Sequence, residues 1–495
     1  MNSLFKTISD SYRLKAFLLI AITAVLYGFL INNLNLWSDE LYSVLMAKDS
    51  FSDMWLLLTT EDSKPPLYYF YLKAFLSIAP KEYEIWVAHF SSFILLILAQ
   101  IFVATAVKKD FGASIALWLI FLIAVMPQSL WLAFEVRTYI LSSFLLLVCL
   151  VYGLRLTRTP CKIDFIKFGI CSVLSLYTHY YCAIYLMFLY LGILITQIRY
   201  KTFQTYGKNF IITSVAVALC FAPWLYVPLS TAGDISKIWY VHMGFVKASI
   251  GFFVDPLNPE IFQSEYVRGT LLEASVFTFI VIIGMFNIKK DSLLSRRVFI
   301  FSLATFILSY ILLIILSIGI RPMVTSRYLK LFSLIWYMSG AVVLANCKNF
   351  QKAFMLVALI GFVFTYLDIK AISFNMGYKN AVEQIYKNIP KRSTLLAFDN
   401  SNLFCEYYLP DYKCILQVGK GGEILRKHNV MRNINLYAQP VDNTMFSISI
   451  FGKPETECID VPSYYRFNQN VHICKFDKSE AKKHIIDSLI FLENN

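Results

Sequence analysis

Apolar runs of membrane-spanning length recur along most of this chain, and nothing else in the sequence constrains the fold as much. A helix that crosses a bilayer needs about 20 apolar residues. The first run, about 16–34, is too long for the core of a signal peptide and lacks a small-residue cleavage site. It reads as a first transmembrane helix. Further spans are expected at roughly 87–107, 112–130, 137–154, 165–180, 182–198, 209–228, 269–286, 298–319, 329–346 and 353–370. The expected fold is therefore an all-α polytopic membrane protein with about eleven transmembrane helices. Composition agrees, because only 16% of the 495 residues are charged and 58% are hydrophobic. A soluble domain of that length needs more charge to cover its surface.

The connecting loops give an orientation. Alternate loops carry Lys6, Arg13 and Lys15; Lys108 and Lys109; Arg155, Arg158, Lys162 and Lys167; Arg199, Lys201 and Lys208; Lys289, Lys290, Arg296 and Arg297; and Lys348 and Lys352. The positive-inside rule puts these loops in the cytoplasm, with the N-terminus inside and the C-terminus outside. The formal net charge of +13 is then largely a topology signal and not a nucleic-acid footprint. No nucleic-acid partner is expected.

Residues 1–370 read as a membrane module that includes a long first outer loop, 35–86. Residues 371–495 read as a small outer domain of α/β type, with a helix near Asn380–Asn388 and a strand at Ser393–Phe398. Four cysteines, Cys405, Cys414, Cys458 and Cys474, lie in that tail. An even number outside the cytoplasm suggests two disulfides, against the alternative of four reduced apolar side chains. Pairing 405 with 414 and 458 with 474 is the local choice among three connectivities. The chain lacks any Asn-x-Ser/Thr acceptor, which favours a bacterial cytoplasmic membrane over an ER one.

Polar clusters gather at the outer ends of the spans. They are Leu36-Trp37-Ser38-Asp39-Glu40-Leu41-Tyr42-Ser43, Asp62-Ser63-Lys64-Pro65-Pro66-Leu67-Tyr68-Tyr69, Phe134-Glu135-Val136-Arg137-Thr138-Tyr139, Thr178-His179-Tyr180-Tyr181, and Arg321-Pro322 with Ser326-Arg327-Tyr328. Ionisable residues near a membrane are costly unless they serve a site. Five clusters on one side imply one site at the outer interface. Transfer of a sugar from a polyprenyl phosphate suits these groups. The phosphate is already a leaving group, so one carboxylate suffices, to take the proton of the acceptor hydroxyl. Cations hold the phosphate and its growing charge. Asp39 or Glu40 can be that base, and Lys64, Arg137 and Arg327 the phosphate clamp. A single displacement inverts the anomeric centre.

The acidic pair, the Asp-x-Lys-Pro-Pro-Leu-Tyr-Tyr stretch, the Glu-x-Arg-x-Tyr stretch and the Thr-His-Tyr stretch resemble the GT-C glycosyltransferases. The likeness is to the bacterial branch related to protein O-mannosyltransferases and lipid A aminoarabinose transferases. It covers about 1–345 and is most specific over 36–139. The resemblance implies interfacial helices in the first outer loop, a polyprenyl-phosphate sugar donor, and a glycolipid, glycan or protein acceptor. It implies Asp39 as the catalytic carboxylate and Lys64 as a donor-phosphate contact. Many bacterial relatives carry His at the Lys64 position, and His89 stands where relatives often have an arginine. Some members bind a divalent metal, for which Asp62 with His179 or His242 would be the ligands here.

Each residue also has a plainer reading. Asp39 and Glu40 fit the first turn of a helix capped by Ser38. Arg137 can anchor lipid headgroups, Glu135 can simply pair with it, and Arg327 can snorkel. Most tyrosines, Tyr139 among them, suit an aromatic belt or a core. A transporter or flippase of lipid-linked sugars is the alternative function, although no paired repeats or mid-membrane polar site stand out. A non-catalytic receptor leaves the loop motifs unexplained.

Overall fold

The computed structural model describes residues 2–32, 34–60, 64–230, 276–282, 284, 286, 288, 293–319, 326–374, 378–391, 394–398, 401–417, 445–449, 458–463 and 469–476. The chain falls into two compact units.

The first unit comprises Met1–Ile31, Lys64–Tyr71 and His89–Asp368 and is helical. Among the described residues, six helices of the chain are long and apolar enough to cross a membrane: Ser11–Ile31, Lys81–Phe111, Tyr139–Leu156, Tyr181–Arg199, Phe203–Ser230 and Leu293–Gly319. Helices Ala113–Val125 and Pro127–Phe134, bent by 67°, make a seventh if they are one broken span. Pro127 explains the break, since it has no N–H to continue the first helix and its fixed φ suits the start of the second. Shorter apolar helices cover Lys330–Asn346 and Gln351–Phe364. The run expected at 165–180 forms helix Lys162–Leu176.

Lipid exposure explains what this unit shows on its outside. Phe17, Leu18, Ile22, Val25 and Phe29 of the first helix are all exposed. Such an apolar band is costly in water and suits acyl chains. Inside, polar groups must find partners, because lipid offers none. The Tyr27 hydroxyl donates to the Ala124 carbonyl at 2.9 Å. The Gln100 amide donates to the Thr23 hydroxyl at 3.2 Å and the Ile120 carbonyl at 3.3 Å. Small residues allow close approach. Gly340, in helix Ser333–Asn346, lies against the Phe277 ring, where any Cβ would collide.

The second unit comprises Asn32–Ser63, Leu72–Ala88 and Ile369–Asn495. It contains helices Ser38–Lys48, Phe51–Thr60, Tyr378–Asn388 and Ser401–Tyr408. Five strands form one sheet: β1 (Thr394–Phe398), β2 (Lys413–Gln417), β3 (Met445–Ser449), β4 (Cys458–Ser463) and β5 (Gln469–Phe476). Their order is β2-β1-β3-β5-β4. β1 runs parallel to β2 and β3, and β5 runs antiparallel to β3 and β4. Parallel neighbours need a crossover, which helix Ser401–Tyr408 supplies between β1 and β2. Ile385, Ile389, Leu395, Phe404 and Leu409 are buried here. The Tyr412 hydroxyl donates to the Ile389 carbonyl at 2.9 Å. Cys458 lies opposite Cys474 in the β4–β5 register.

The loop segment and the tail are joined within this unit. Helix Ser38–Lys48 packs on helix Ser401–Tyr408. The Leu36 amide donates to the Tyr408 hydroxyl at 3.0 Å. Glu84 accepts from Lys48 at 2.8 Å and from the Tyr407 hydroxyl at 3.3 Å.

The close approach at Gly340 gives a stability test. Gly340→Ala is expected to destabilise the protein by roughly 1–3 kcal/mol through overpacking, read as a lower melting temperature in detergent. An unchanged melting temperature would contradict the packing at Phe277.

Candidate active site

Two buried charges meet at one end of the first unit. Lys330, in the short turn Lys330–Phe332, donates to Glu135 Oε2 at 2.9 Å, and the side chains are 0% and 3% exposed. Glu135 follows helix Pro127–Phe134, and helix Tyr139–Leu156 starts four residues later. The Lys330 ammonium also lies 5.7 Å from the centre of the Tyr139 ring. Around this pair, backbone carbonyls are satisfied by side chains. The Ser92 hydroxyl donates to the Glu135 carbonyl at 2.7 Å. His89 Nδ1 lies 2.5 Å from the Phe134 carbonyl. A carbonyl only accepts, so geometry assigns the proton to Nδ1.

Hydrogen bonds then link this loop to two others. The Thr138 hydroxyl donates to the Thr178 carbonyl at 2.9 Å, and Ser142 donates to the Thr178 hydroxyl at 3.0 Å. The Leu67 amide donates to the Tyr177 carbonyl at 3.0 Å, which draws Lys64-Pro65-Pro66 to the same turn. Pro66 directly precedes helix Leu67–Leu76, a place proline favours. Arg137 is buried, and its amide donates to the Glu135 carbonyl at 2.8 Å.

His179 sits among tyrosines. Its ring centre lies 5.0 Å from that of Tyr181, 5.3 Å from Tyr328 and 6.1 Å from Tyr139. Nδ1 accepts the Tyr181 amide at 3.2 Å. Burial within these rings lowers its pKa, and the charges of Lys64 and Arg137 push the same way, so the imidazole is neutral. One end of the first unit thus gathers Lys64, Glu135, Arg137, Tyr139, His179 and Lys330.

In the second unit, Asp39 and Glu40 occupy the first turn of helix Ser38–Lys48. They differ in surroundings. Glu40 is 1% exposed, and its Oε2 accepts the Trp37 amide at 3.2 Å. Asp39 is partly exposed. Glu40 therefore satisfies the start of its own helix, and Asp39 is the more exposed of the pair. Asp62, His242 and the Arg327 side chain lie outside the described residues; the Arg327 backbone belongs to helix Ser326–Leu329. Of the three expected metal ligands only His179 is described, and its Nδ1 is engaged by the Tyr181 amide. Among the described residues, no group of three or more His, Cys, Asp or Glu side chains has the arrangement of a metal site.

Sequence reasoning missed Lys330. Its signal was available, since it is a lysine at the start of the apolar run 329–346. A charge there demands a partner.

Similarity to solved structures identifies the fold. ArnT from Cupriavidus metallidurans bound to undecaprenyl phosphate is 11% identical, with a TM-score of 0.55 over 92% of this chain and 97% of that one. The apo state of the same protein, 11% identical over the same shares of the two chains, gives a TM-score of 0.47. The oligosaccharyltransferase of Archaeoglobus fulgidus in its apo form, 13% identical over 88% of this chain and 69% of that one, gives 0.46. Only the first likeness is strong enough to argue from. No family model matches the chain, and no curated protein matches it. The chain is a multi-pass membrane protein with the GT-C fold.

The buried pair makes a direct prediction. Lys330→Met removes the ammonium that donates to the buried Glu135 carboxylate and is expected to cost about 3–5 kcal/mol, seen as a lower melting temperature. Adding Glu135→Gln should recover much of that loss. Wild-type stability in the single variant would contradict the ion pair.

Proposed function

We propose that this protein transfers a sugar from a polyprenyl-phosphate donor to a lipid, polysaccharide or protein acceptor. The reaction takes place at the periplasmic face of a bacterial inner membrane. The observation that carries this reading is the shared fold with ArnT, which spans nearly all of both chains and whose structure holds undecaprenyl phosphate. The basic residues of alternate loops support an N-terminus in the cytoplasm and a C-terminal domain, 371–495, in the periplasm. The membrane module then covers 1–370 with eleven spans, and its first periplasmic loop, 35–86, brings helices to the interface.

The chemistry assigns one task to each group. Asp39 takes the proton from the acceptor hydroxyl as that oxygen attacks the anomeric carbon. The bond from that carbon to the phosphate oxygen breaks, and inversion follows. Negative charge collects on the departing phosphate. Lys64, Arg137 and Arg327 hold it, and a guanidinium offers paired donors to its oxygens. Glu40 fixes the start of the Asp39 helix through the Trp37 amide. Glu135 and Lys330 neutralise one another beside Tyr139, which holds the Arg137 loop in place. The neutral His179 adds no charge near the phosphate clamp. The donor's lipid tail then enters sideways from the bilayer. The flippase reading has no observation of its own.

Donor kinetics test the clamp. In proteoliposomes supplied with a polyprenyl-phosphate sugar, Lys64→Ala and Arg137→Ala should each raise the donor KM about tenfold or more, because each removes a charge-assisted hydrogen bond to the phosphate. Unchanged donor KM in both variants would remove the clamp.

A further inference from the structure

The other end of the helix Tyr139–Leu156 holds a second charged cluster. Eighteen helical residues separate it from the Glu135 loop by about 27 Å. Three arginines and two aspartates meet there. Arg155 is fully committed: its Nε donates to Asp110 Oδ2 at 2.6 Å and its Nη1 to Asp164 Oδ1 at 3.4 Å. Asp164 also accepts the Cys161 amide at 3.0 Å.

Arg158 and Arg297 are placed differently. Arg158 Nη1 donates to the Asp110 backbone carbonyl at 3.3 Å, and Arg297 Nη1 donates to the Thr157 carbonyl at 3.4 Å. Each therefore leans on backbone, and Arg297 also bonds the Tyr200 hydroxyl, whose pKa it lowers. Arg158 Nη2 and Arg297 Nε are buried from solvent and have no acceptor among the described residues. Buried donors on a charged group are costly to leave unmet. The groups that face Arg158 do not balance it. Burial lowers its pKa, Asp110 raises it, and the like charges of Arg297 and Arg155 lower it again. An aromatic face flanks each guanidinium: Phe111 lies 5.2 Å from Arg158, and Tyr200 lies 4.4 Å from Arg297.

We propose that Arg158 and Arg297 form a binding site for the phosphate headgroup of an anionic membrane lipid. An anion with several oxygens suits two guanidinium groups that lie in one cluster with only two aspartates. A phosphodiester headgroup has both properties. The site lies at the end of helix Tyr139–Leu156, which is long and apolar enough to cross a membrane, and basic pockets between such helices take anionic lipids. The aromatic rings suit the boundary between headgroup and acyl chain. This site is separate from the transfer site and does not depend on the proposed reaction.

Native mass spectrometry of the full-length protein in micelles tests the site, with phosphatidylglycerol or phosphatidylcholine added. Wild type should retain phosphatidylglycerol about tenfold more strongly. Arg158→Gln/Arg297→Gln should lose that preference, while the charge-matched control Lys348→Gln/Lys352→Gln keeps it. Equal retention of the two lipids by wild type would overturn the site, and this comparison requires no variant to fold. An unchanged preference in the arginine double variant would overturn it too. Displacement of the lipid by millimolar inorganic phosphate would assign the pocket to a free anion and overturn the lipid claim.

Discussion

Glu135 and Lys330 form an ion pair that water cannot reach, and one end of the bundle is organised around it. They lie 195 residues apart in sequence. In a lipid-solvated protein an unmatched charge at this depth is not tolerated, so each side chain fixes the segment of the other. The pair ties the loop before helix Tyr139–Leu156 to the turn before helix Ser333–Asn346. From that loop, Thr138 and Ser142 reach the Thr178 turn, and Tyr177 receives the Leu67 amide. A short series of hydrogen bonds thus holds Lys64, Arg137, Tyr139 and His179 in one neighbourhood.

The acidic pair Asp39–Glu40 illustrates how two adjacent carboxylates acquire different surroundings. Both stand in the first turn of one helix, where the helix dipole favours them. Helical geometry turns successive side chains by about 100°. Glu40 therefore points back to the Trp37 amide and is buried, and Asp39 remains partly exposed. The residue types alone could not separate the two, because both fit the same helix start; only the resemblance to GT-C enzymes pointed to Asp39.

Length and apolarity made most of the bundle legible, since they are local properties. The run expected at 137–154 is helix Tyr139–Leu156, and that at 182–198 is helix Tyr181–Arg199. The run at 112–130 looked continuous, yet it is two helices bent by 67° at Pro127. Apolarity is blind to a missing backbone donor, although the proline was in view. The motif residues Lys64, Arg137 and His179 stand out in sequence because their stretches are short and ordered, and the structure brings them to one end of the first unit. Lys330 does not stand out, because its importance lies in a partner that only the fold brings near. Likewise, nothing in residues 35–60 announces that helix Ser38–Lys48 packs on a helix of the tail.

The most direct test compares surface glycolipids and glycoproteins by mass spectrometry, from cells making the wild-type chain or Asp39→Asn at equal levels. A species heavier by one sugar should be present with wild type and absent with the variant, which still folds and inserts. Its mass increment would give the class of sugar, and its carrier would name the acceptor. Identical spectra, with both proteins inserted and donor supplied, would contradict the transfer reaction.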